Sequence, residues 1–259
     1  MLNPNIYDRA YFNSAQCEGY VEFKSGRLSP IKQLEIDLLK IEKTDCVLDI
    51  GCGRGDIISY LSKMGINFWG VDYSLNAVKL TRKKVKINEQ KRVLHDDARK
   101  ISLPNESVNK ILIGDVIEHM TYNEAKVVIE EAFRLLTKSG VCVIHTAPNK
   151  AFRKYLVPIL KSLLKFYKPL IYKKFVYNIK VVDKYHINEY SLGELNKLMA
   201  TSSFKKYTVW ANRDVLRKNG LNYLQNIRNK LFFRLIAGVI NNTPLINLFG
   251  NDLFVLAIK

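Results

Sequence analysis

The run Val47-Leu-Asp-Ile-Gly-Cys-Gly-Arg-Gly-Asp56 leaves few folds open. A short apolar stretch, Cys46 to Ile50, runs into three alternate glycines, Gly51, Gly53 and Gly55. A helical pattern, Ile57 to Met64, leaves them, and Gly65 stops it. Glycine serves where a backbone turns sharply and must be approached closely. The helix that follows offers free N–H groups at its start. A strand feeding a helix through such a turn opens a parallel α/β sheet.

The rest of the chain repeats that unit. Phe68 to Val71 reads as a strand ending at Asp72, and Ser74 can cap a helix carrying Ala77, Val78, Leu80 and Val85. Val108 to Ile113 reads as another strand, and Asn123 to Thr137 as an amphipathic helix that Ser139-Gly140 stops. Val141 to Ile144 is a buried strand. Further on come a helix at Ser191 to Ala200, a strand at Tyr207 to Trp210, an amphipathic stretch at Leu221 to Ile240 and a strand at Leu253 to Ile258. Ahead of the glycines, Ser29-Pro30 starts a helix reaching about residue 42. Strand and helix in alternation predict a doubly wound sheet, parallel for most of its width and covered on both faces.

One stretch breaks the pattern. Residues 150–184 hold ten Lys or Arg against a single acid, Asp183, together with seven Phe or Tyr. Over the whole chain, 41 Lys and Arg face 24 Asp and Glu, a net charge of +17. That excess speaks to an anionic partner and not to fold. The four cysteines, Cys17, Cys46, Cys52 and Cys142, form no Cys-x-x-Cys pair and read as small core residues in a reducing compartment. No secretory signal pattern opens the chain, and no apolar run reaches the roughly 18 residues of a membrane span. The expected location is cytoplasmic, with peripheral contact on the inner face of a membrane left open.

The turn also constrains the ligand. Asp72, at the end of the second strand, is placed to accept from both hydroxyls of a ribose. The third glycine comes too early for the dinucleotide fingerprint G-x-G-x-x-G. Asp49, just before the glycines, suits the cationic end of a ligand better than a pyrophosphate.

Asp49-x-Gly51-x-Gly53-x-Gly55 resembles the first motif of the class I S-adenosylmethionine-dependent methyltransferases. Asp72 resembles that family's ribose-binding acid, with Tyr73 beside it. Asp96-Asp97-Ala98, followed by Leu103-Pro104, resembles its adenine segment, where Asp97 would accept from the exocyclic amine. Asp115-Val-Ile-Glu-His119 resembles the motif bordering the methyl group. The resemblance covers about residues 45–150 and implies a seven-stranded Rossmann-like sheet. It implies S-adenosylmethionine as cofactor, held by Asp49, Gly51, Cys52, Gly53, Gly55, Asp72, Tyr73, Asp97, Ala98 and Asp115. Asn109 departs from the family, which commonly has Asp there, and is expected to affect packing more than chemistry.

Methyl transfer from a sulfonium is an in-line displacement, so the protein mainly positions two reactants. A hydroxyl acceptor also needs a general base. His119, on the ligand-binding rim, is the first candidate, its alternative being a packing role at a helix start. His145 either lines the pocket or finishes a core strand. His186, in Tyr185-His-Ile-Asn-Glu-Tyr190, resembles a position that closes the pocket from the insertion side. His95 reads as structural. The bacterial ubiquinone-biosynthesis O-methyltransferases resemble this chain at Asp115, Glu118 and His119, where some relatives hold a divalent metal; two carboxylates and one imidazole leave such a shell incomplete.

Those same enzymes carry a membrane-touching insertion at this point of the fold. Here Leu156, Ile159, Leu160, Leu163, Leu164 and Tyr167 recur at helical spacing among lysines until Pro169, as in an interfacial helix on an anionic bilayer. Leu231-Phe-Phe-Arg-Leu-Ile-Ala could extend that surface. A plain lid over the active site ranks second, and RNA binding, for which no motif exists, third. The chain thus divides into an N-terminal helical cap (1–44), a cofactor-binding core (45–149), a basic amphipathic insertion (150–184) and a C-terminal part of the same domain (185–259). Tyr7-Asp-Arg-Ala-Tyr-Phe12 resembles enzymes that modify cell-surface glycans. The expected activity is O-methylation of an envelope glycan or another small or lipid-linked acceptor. A quinone precursor is the alternative acceptor, and an RNA methyltransferase or a non-catalytic binding protein on the same scaffold the rival. The sequence leaves the oligomeric state open.

Overall fold

The computed structural model describes residues 4–14, 17–167, 169–212, 238–239 and 242–259. Three helices come first: α1 (Arg9–Phe12), α2 (Tyr20–Lys24) and α3 (Pro30–Leu39). Ser29 caps α3, its hydroxyl accepting from the Lys32 N–H, with Pro30 in the first turn. Alternation follows: β1 (Cys46–Ile50), α4 (Asp56–Met64), β2 (Asn67–Asp72), α5 (Leu75–Arg82), β3 (Val93–His95), β4 (Val108–Gly114), α6 (Tyr122–Leu135) and β5 (Leu136–Thr146). A π-helical turn (Phe152–Leu156) leads into α7 (Val157–Tyr167) and α8 (Pro169–Tyr185). Then come α9 (Leu192–Ala200), β6 (Lys206–Ala211), α10 (Ile246–Phe249) and β7 (Leu253–Ile258).

The seven strands form one sheet in the order β3-β2-β1-β4-β5-β7-β6. All neighbours are parallel except β5–β7 and β7–β6. Strands buried on both faces read as unbroken apolar runs, and their side chains divide between two cores. Leu48, Ile50, Ile111, Ile113 and Ile144 pack on α6 and α9. Val47, Leu112 and Val143 pack on α3, α4 and α5. The sheet order reverses between β1 and β4, and ligands of open α/β sheets bind beyond the strand ends at that switch point.

Two local differences from the sequence reading have clear causes. β5 starts at Leu136, not after Gly140, because it passes through Ser139 in a left-handed conformation (φ 62°) and slips register against β4 between Val108 and Lys110. β3 has only three residues, too few to show alternation in the sequence. Asn109 does act on packing: its Oδ1 accepts from the Cys46 N–H at 2.7 Å and its amide donates to Asp45 at 2.5 Å.

The insertion is a helical hairpin with its own small core of Phe152, Val157, Leu160, Leu164 and Phe175. Outward it exposes Phe166 and Leu170 (79% and 84%). Tyr185, at its end, packs with Tyr7, Phe12 and Ala77, so the N-terminal segment and the insertion meet over α5. No helix among the described residues is long and apolar enough to cross a membrane. The amphipathic stretch at Leu221 to Ile240, including Leu231-Phe-Phe-Arg-Leu-Ile-Ala, lies almost wholly outside the described residues.

Candidate active site

A cavity of about 380 Å³ opens beyond the carboxyl ends of β1, β2 and β4. One end is built by the glycine turn. Gly51, Gly53 and Gly55 have φ of 77°, 53° and 79°, in the left-handed region that glycine tolerates best. A Cβ on Gly51 would lie 2.3 Å from Val116 Cγ2, so the close packing of the β1 and β4 loops requires its absence.

Asp72 ties that turn together. Its Oδ2 accepts from the Gly53 N–H at 2.9 Å and its Oδ1 from the Ser74 N–H at 2.8 Å. Each oxygen keeps a further lone pair, so the carboxylate can accept two hydroxyls at once. Burial pushes its pKa up to about 6, against those two N–H donors. Asp49, buried at the end of β1, is pushed up to about 8, again by burial, with Lys32 pulling the other way. A buried acid in this state is poised to receive a cation.

Asp49, Gly51, Cys52, Gly53, Asp72, Tyr73, Ala98 and Asp115 all line the cavity. Gly55 and Asp97 do not. Gly55 instead packs against Thr81, where a Cβ would come within 2.6 Å. Asp97 is taken by Arg99, which donates to it from Nε at 3.0 and 3.1 Å and from a terminal nitrogen at 2.6 Å. Its neighbour Asp96 reaches the wall in its place.

The other end belongs to the rim histidines and the insertion. His119 Nδ1 lies 2.7 Å from the Tyr185 carbonyl oxygen. A carbonyl only accepts, so Nδ1 carries the proton and Nε2 of the neutral ring keeps its lone pair. Burial lowers the His119 pKa, which favours that neutral ring. His186 stands edge-on to it, ring centres 4.9 Å apart, and burial, then the neighbouring His119, drops its pKa to about 3. The buried Nδ1 of His186 has no hydrogen-bond partner among the described residues. Apolar side chains of the insertion, Phe152, Val157, Phe175, Ile179 and Val182, complete this end.

His145 is not a wall residue. It is fully buried behind the cavity, its ring flanked by Glu35, Asp115 and Asp252. The metal-type grouping also differs from the sequence reading: Glu118, His119 and His186 bring ligand atoms within 4.8 Å of one another, and Asp115 is not among them. Glu118 Oε2 already accepts from the Thr146 hydroxyl at 2.8 Å, and burial, then Asp115, push its carboxyl well above the ordinary range. One carboxyl group and two imidazoles leave a metal's coordination shell incomplete.

Lys32 and Glu35 of α3 line the cavity and were missed in the sequence. The signal was there for Glu35, an acid set four residues from both Ile31 and Leu39 on a face that is otherwise buried and apolar.

Residues 48–144 match the family model described as "Methyltransferase domain". Over those residues the chain resembles the class I S-adenosylmethionine-dependent methyltransferases. Among curated proteins, a ubiquinone biosynthesis O-methyltransferase of Pelagibacter ubique (strain HTCC1062) is 27% identical over 185 residues, 67% of this chain and 75% of that protein. An rRNA adenine N-6-methyltransferase of Streptococcus sanguinis is 27% identical over 128 residues, 49% of each chain. A methyltransferase structure from Archaeoglobus fulgidus superposes with a TM-score of 0.57 at 19% identity, covering 88% of this chain and 94% of that one, a likeness of fold. The chain thus spans three quarters of one curated relative and about half of the other.

Proposed function

We propose that this methyltransferase acts on a hydroxyl oxygen of an amphipathic, lipid-linked acceptor, with His119 as general base. The observation that carries the reading is the hydrogen bond from His119 Nδ1 to the Tyr185 carbonyl, which holds the neutral ring on the cavity wall with its acceptor lone pair on Nε2. Asp49 and the glycine turn would hold the cationic end of S-adenosylmethionine, Asp72 the ribose hydroxyls, and Asp96 and Ala98 the base. The cofactor supplies an activated methyl group on sulfur. The chain's part is to hold the two reactants in line, remove the acceptor's proton and exclude water.

The apolar hairpin wall suits the hydrophobic part of an acceptor. A sugar hydroxyl on a lipid-linked envelope intermediate is the first form of this acceptor. A phenolic hydroxyl on a quinone precursor is the second, favoured by the Pelagibacter relative. Exposed Phe166 and Leu170 among lysines would set the hairpin on an anionic membrane from which such an acceptor is drawn.

The test is radiolabelled methyl transfer from S-adenosylmethionine to extracted membrane lipids, lipid-linked glycans and hydroxylated quinone precursors. A product stable to acid and base as an ether supports oxygen transfer. His119→Ala should lower turnover about 100-fold or more while leaving cofactor affinity within about threefold. Equal loss of both makes His119 structural, and transfer only to amines removes the hydroxyl reading.

A further inference from the structure

Behind the cavity lies a cluster that methyl transfer does not itself require. His145, on β5, is fully buried. Its Nδ1 lies 3.0 Å from Asp115 Oδ1 and 3.2 Å from Glu35 Oε1, and its Nε2 lies 3.3 Å from Asp252 Oδ1. One imidazole therefore joins three elements: α3, the loop after β4 and the start of β7. Two of its three partners, Glu35 and Asp115, line the cavity.

Asp115 is held twice. It adopts a left-handed backbone (φ 54°), unusual for a residue other than glycine. Its N–H donates to the His145 carbonyl at 3.1 Å, and its carboxylate faces the His145 ring. The bond from backbone to backbone fixes the turn, and the 3.0 Å ion-pair contact sets the carboxylate beside the ring. Gly114 completes the arrangement, since a Cβ there would lie 2.9 Å from Glu35 Oε1 and displace that carboxylate from its place beside the ring.

We propose that His145 is a positioning residue that aims the Asp115 and Glu35 carboxylates at the positively charged part of the bound cofactor. The proposal rests on the reading of the cavity as the S-adenosylmethionine site. An imidazole is the side chain for this task because it can face acids from both edges of one plane. Burial alone would favour the neutral ring, but Asp115, Asp252 and Glu35 outweigh it and hold the His145 pKa well above its ordinary value. A charged ring among buried acids offsets their repulsion and draws the Glu35 pKa down against the burial that raises it.

Calorimetric titration of the full chain with S-adenosylmethionine and with S-adenosylhomocysteine tests this, using His145→Gln, Asp115→Asn and the double variant. His145→Gln should weaken S-adenosylmethionine binding at least tenfold and S-adenosylhomocysteine binding by a smaller factor, because only the former carries the sulfonium charge. The double variant should lose less affinity than the product of the two single losses, the signature of one residue acting partly through another. Losses that multiply, or equal losses for both ligands, would overturn the proposal. Should His145→Gln fail to fold, Asp252→Asn leaves the ring in place and weakens its far side. It should then show the same ligand preference and the same non-additivity with Asp115→Asn, and wild-type discrimination in that variant would overturn the proposal. A wild-type chain that binds neither ligand removes the cofactor reading itself, and this inference with it.

Discussion

Asp72 Oδ2 accepts a hydrogen bond from the Gly53 N–H at 2.9 Å, so the acid that ends β2 also closes the turn that ends β1. The ribose acceptor and the glycine cradle are therefore one unit. Removing the carboxylate should do more than delete two ligand hydrogen bonds. Asp72→Ala is expected to weaken S-adenosylmethionine binding at least tenfold, as losing a charge-assisted pair should. It should also lower the melting temperature, since the buried Gly53 and Ser74 N–H groups lose their acceptor. Calorimetry and a thermal melt read the two effects, and unchanged cofactor affinity would remove Asp72 from the site.

Asp49 adds a proton-linked signature. Burial pushes its pKa up to about 8, so at pH 7 the unliganded site holds a proton. A cation bound beside it favours the carboxylate and expels that proton. Binding of S-adenosylmethionine at pH 7 should therefore release roughly one proton. The release is read from the dependence of binding enthalpy on the buffer's ionisation heat, and Asp49→Asn should abolish it. Glu35 and Glu118, both raised by burial, are further wall acids able to contribute, so Glu35→Gln and Glu118→Gln are the controls. The same shift has a stability consequence of fixed sign. A folded-state pKa above the unfolded one stabilises the chain most below the ordinary Asp range, and that gain is lost as pH rises through about 8. The unliganded chain should thus melt progressively lower on going from pH 6 to pH 8, and Asp49→Asn should flatten the slope.

Much of this was legible in the sequence, for physical reasons. A sheet buried on both faces writes its strands as continuous apolar runs, and three alternate glycines before a helix permit few other structures. Ser29, Ser74 and Ser191 announced their helices because each hydroxyl accepts from an N–H of the first turn. The failures were of direction, which sequence does not encode. Asp96 and Asp97 are adjacent, and only the position of Arg99 decides which one is taken. His145, near the end of β5, reads either as a pocket residue or as the finish of a core strand, and the structure takes the second. Its burial follows from Glu35, 110 positions earlier in the chain, and Asp252, 107 later. Glu118 and His119 were visible as a pair, but His186 joins them only because α8 returns to the rim.

Gly51 offers a test of the backbone with no change in charge. At φ 77° an alanine carries a left-handed penalty of about 1–2 kcal/mol, and its Cβ would collide with Val116. Overpacking of that kind costs about 1–3 kcal/mol more. Gly51→Ala should lower the melting temperature by roughly 4–15 °C at the scaling expected for a chain of this size. It should also abolish cofactor binding. Gly193 is the contrast, lying in α9 with nothing within 4 Å of its missing Cβ. Gly193→Ala should stabilise by about 0.5–1 kcal/mol through helix propensity. Equal behaviour of the two variants would mean that the turn is not rigid.

The hairpin's outer corner decides between membrane contact and a simple lid. Phe166 and Leu170 stand either side of the α7–α8 break and are 79% and 84% exposed, with Lys161, Lys165 and Lys173 nearby in the chain. Neither apolar side chain supports the hairpin core, which is built from Phe152, Val157, Leu160, Leu164 and Phe175. Replacing both by serine should leave melting temperature and cofactor affinity unchanged. Burying a Phe and a Leu contributes about 1.5–3 kcal/mol each when complete, so even partial insertion predicts more than a tenfold loss in binding to anionic vesicles. The lysines make the remaining attraction electrostatic, and it should fall further in 0.5 M salt, where roughly half a nanometre of screening replaces the physiological 8 Å. Co-sedimentation with phosphatidylglycerol vesicles measures both. If Phe166→Ser with Leu170→Ser sediments like the wild type, or if the wild type does not sediment at all, the hairpin is a lid, and the acceptor must reach the His119 end of the cavity from solution.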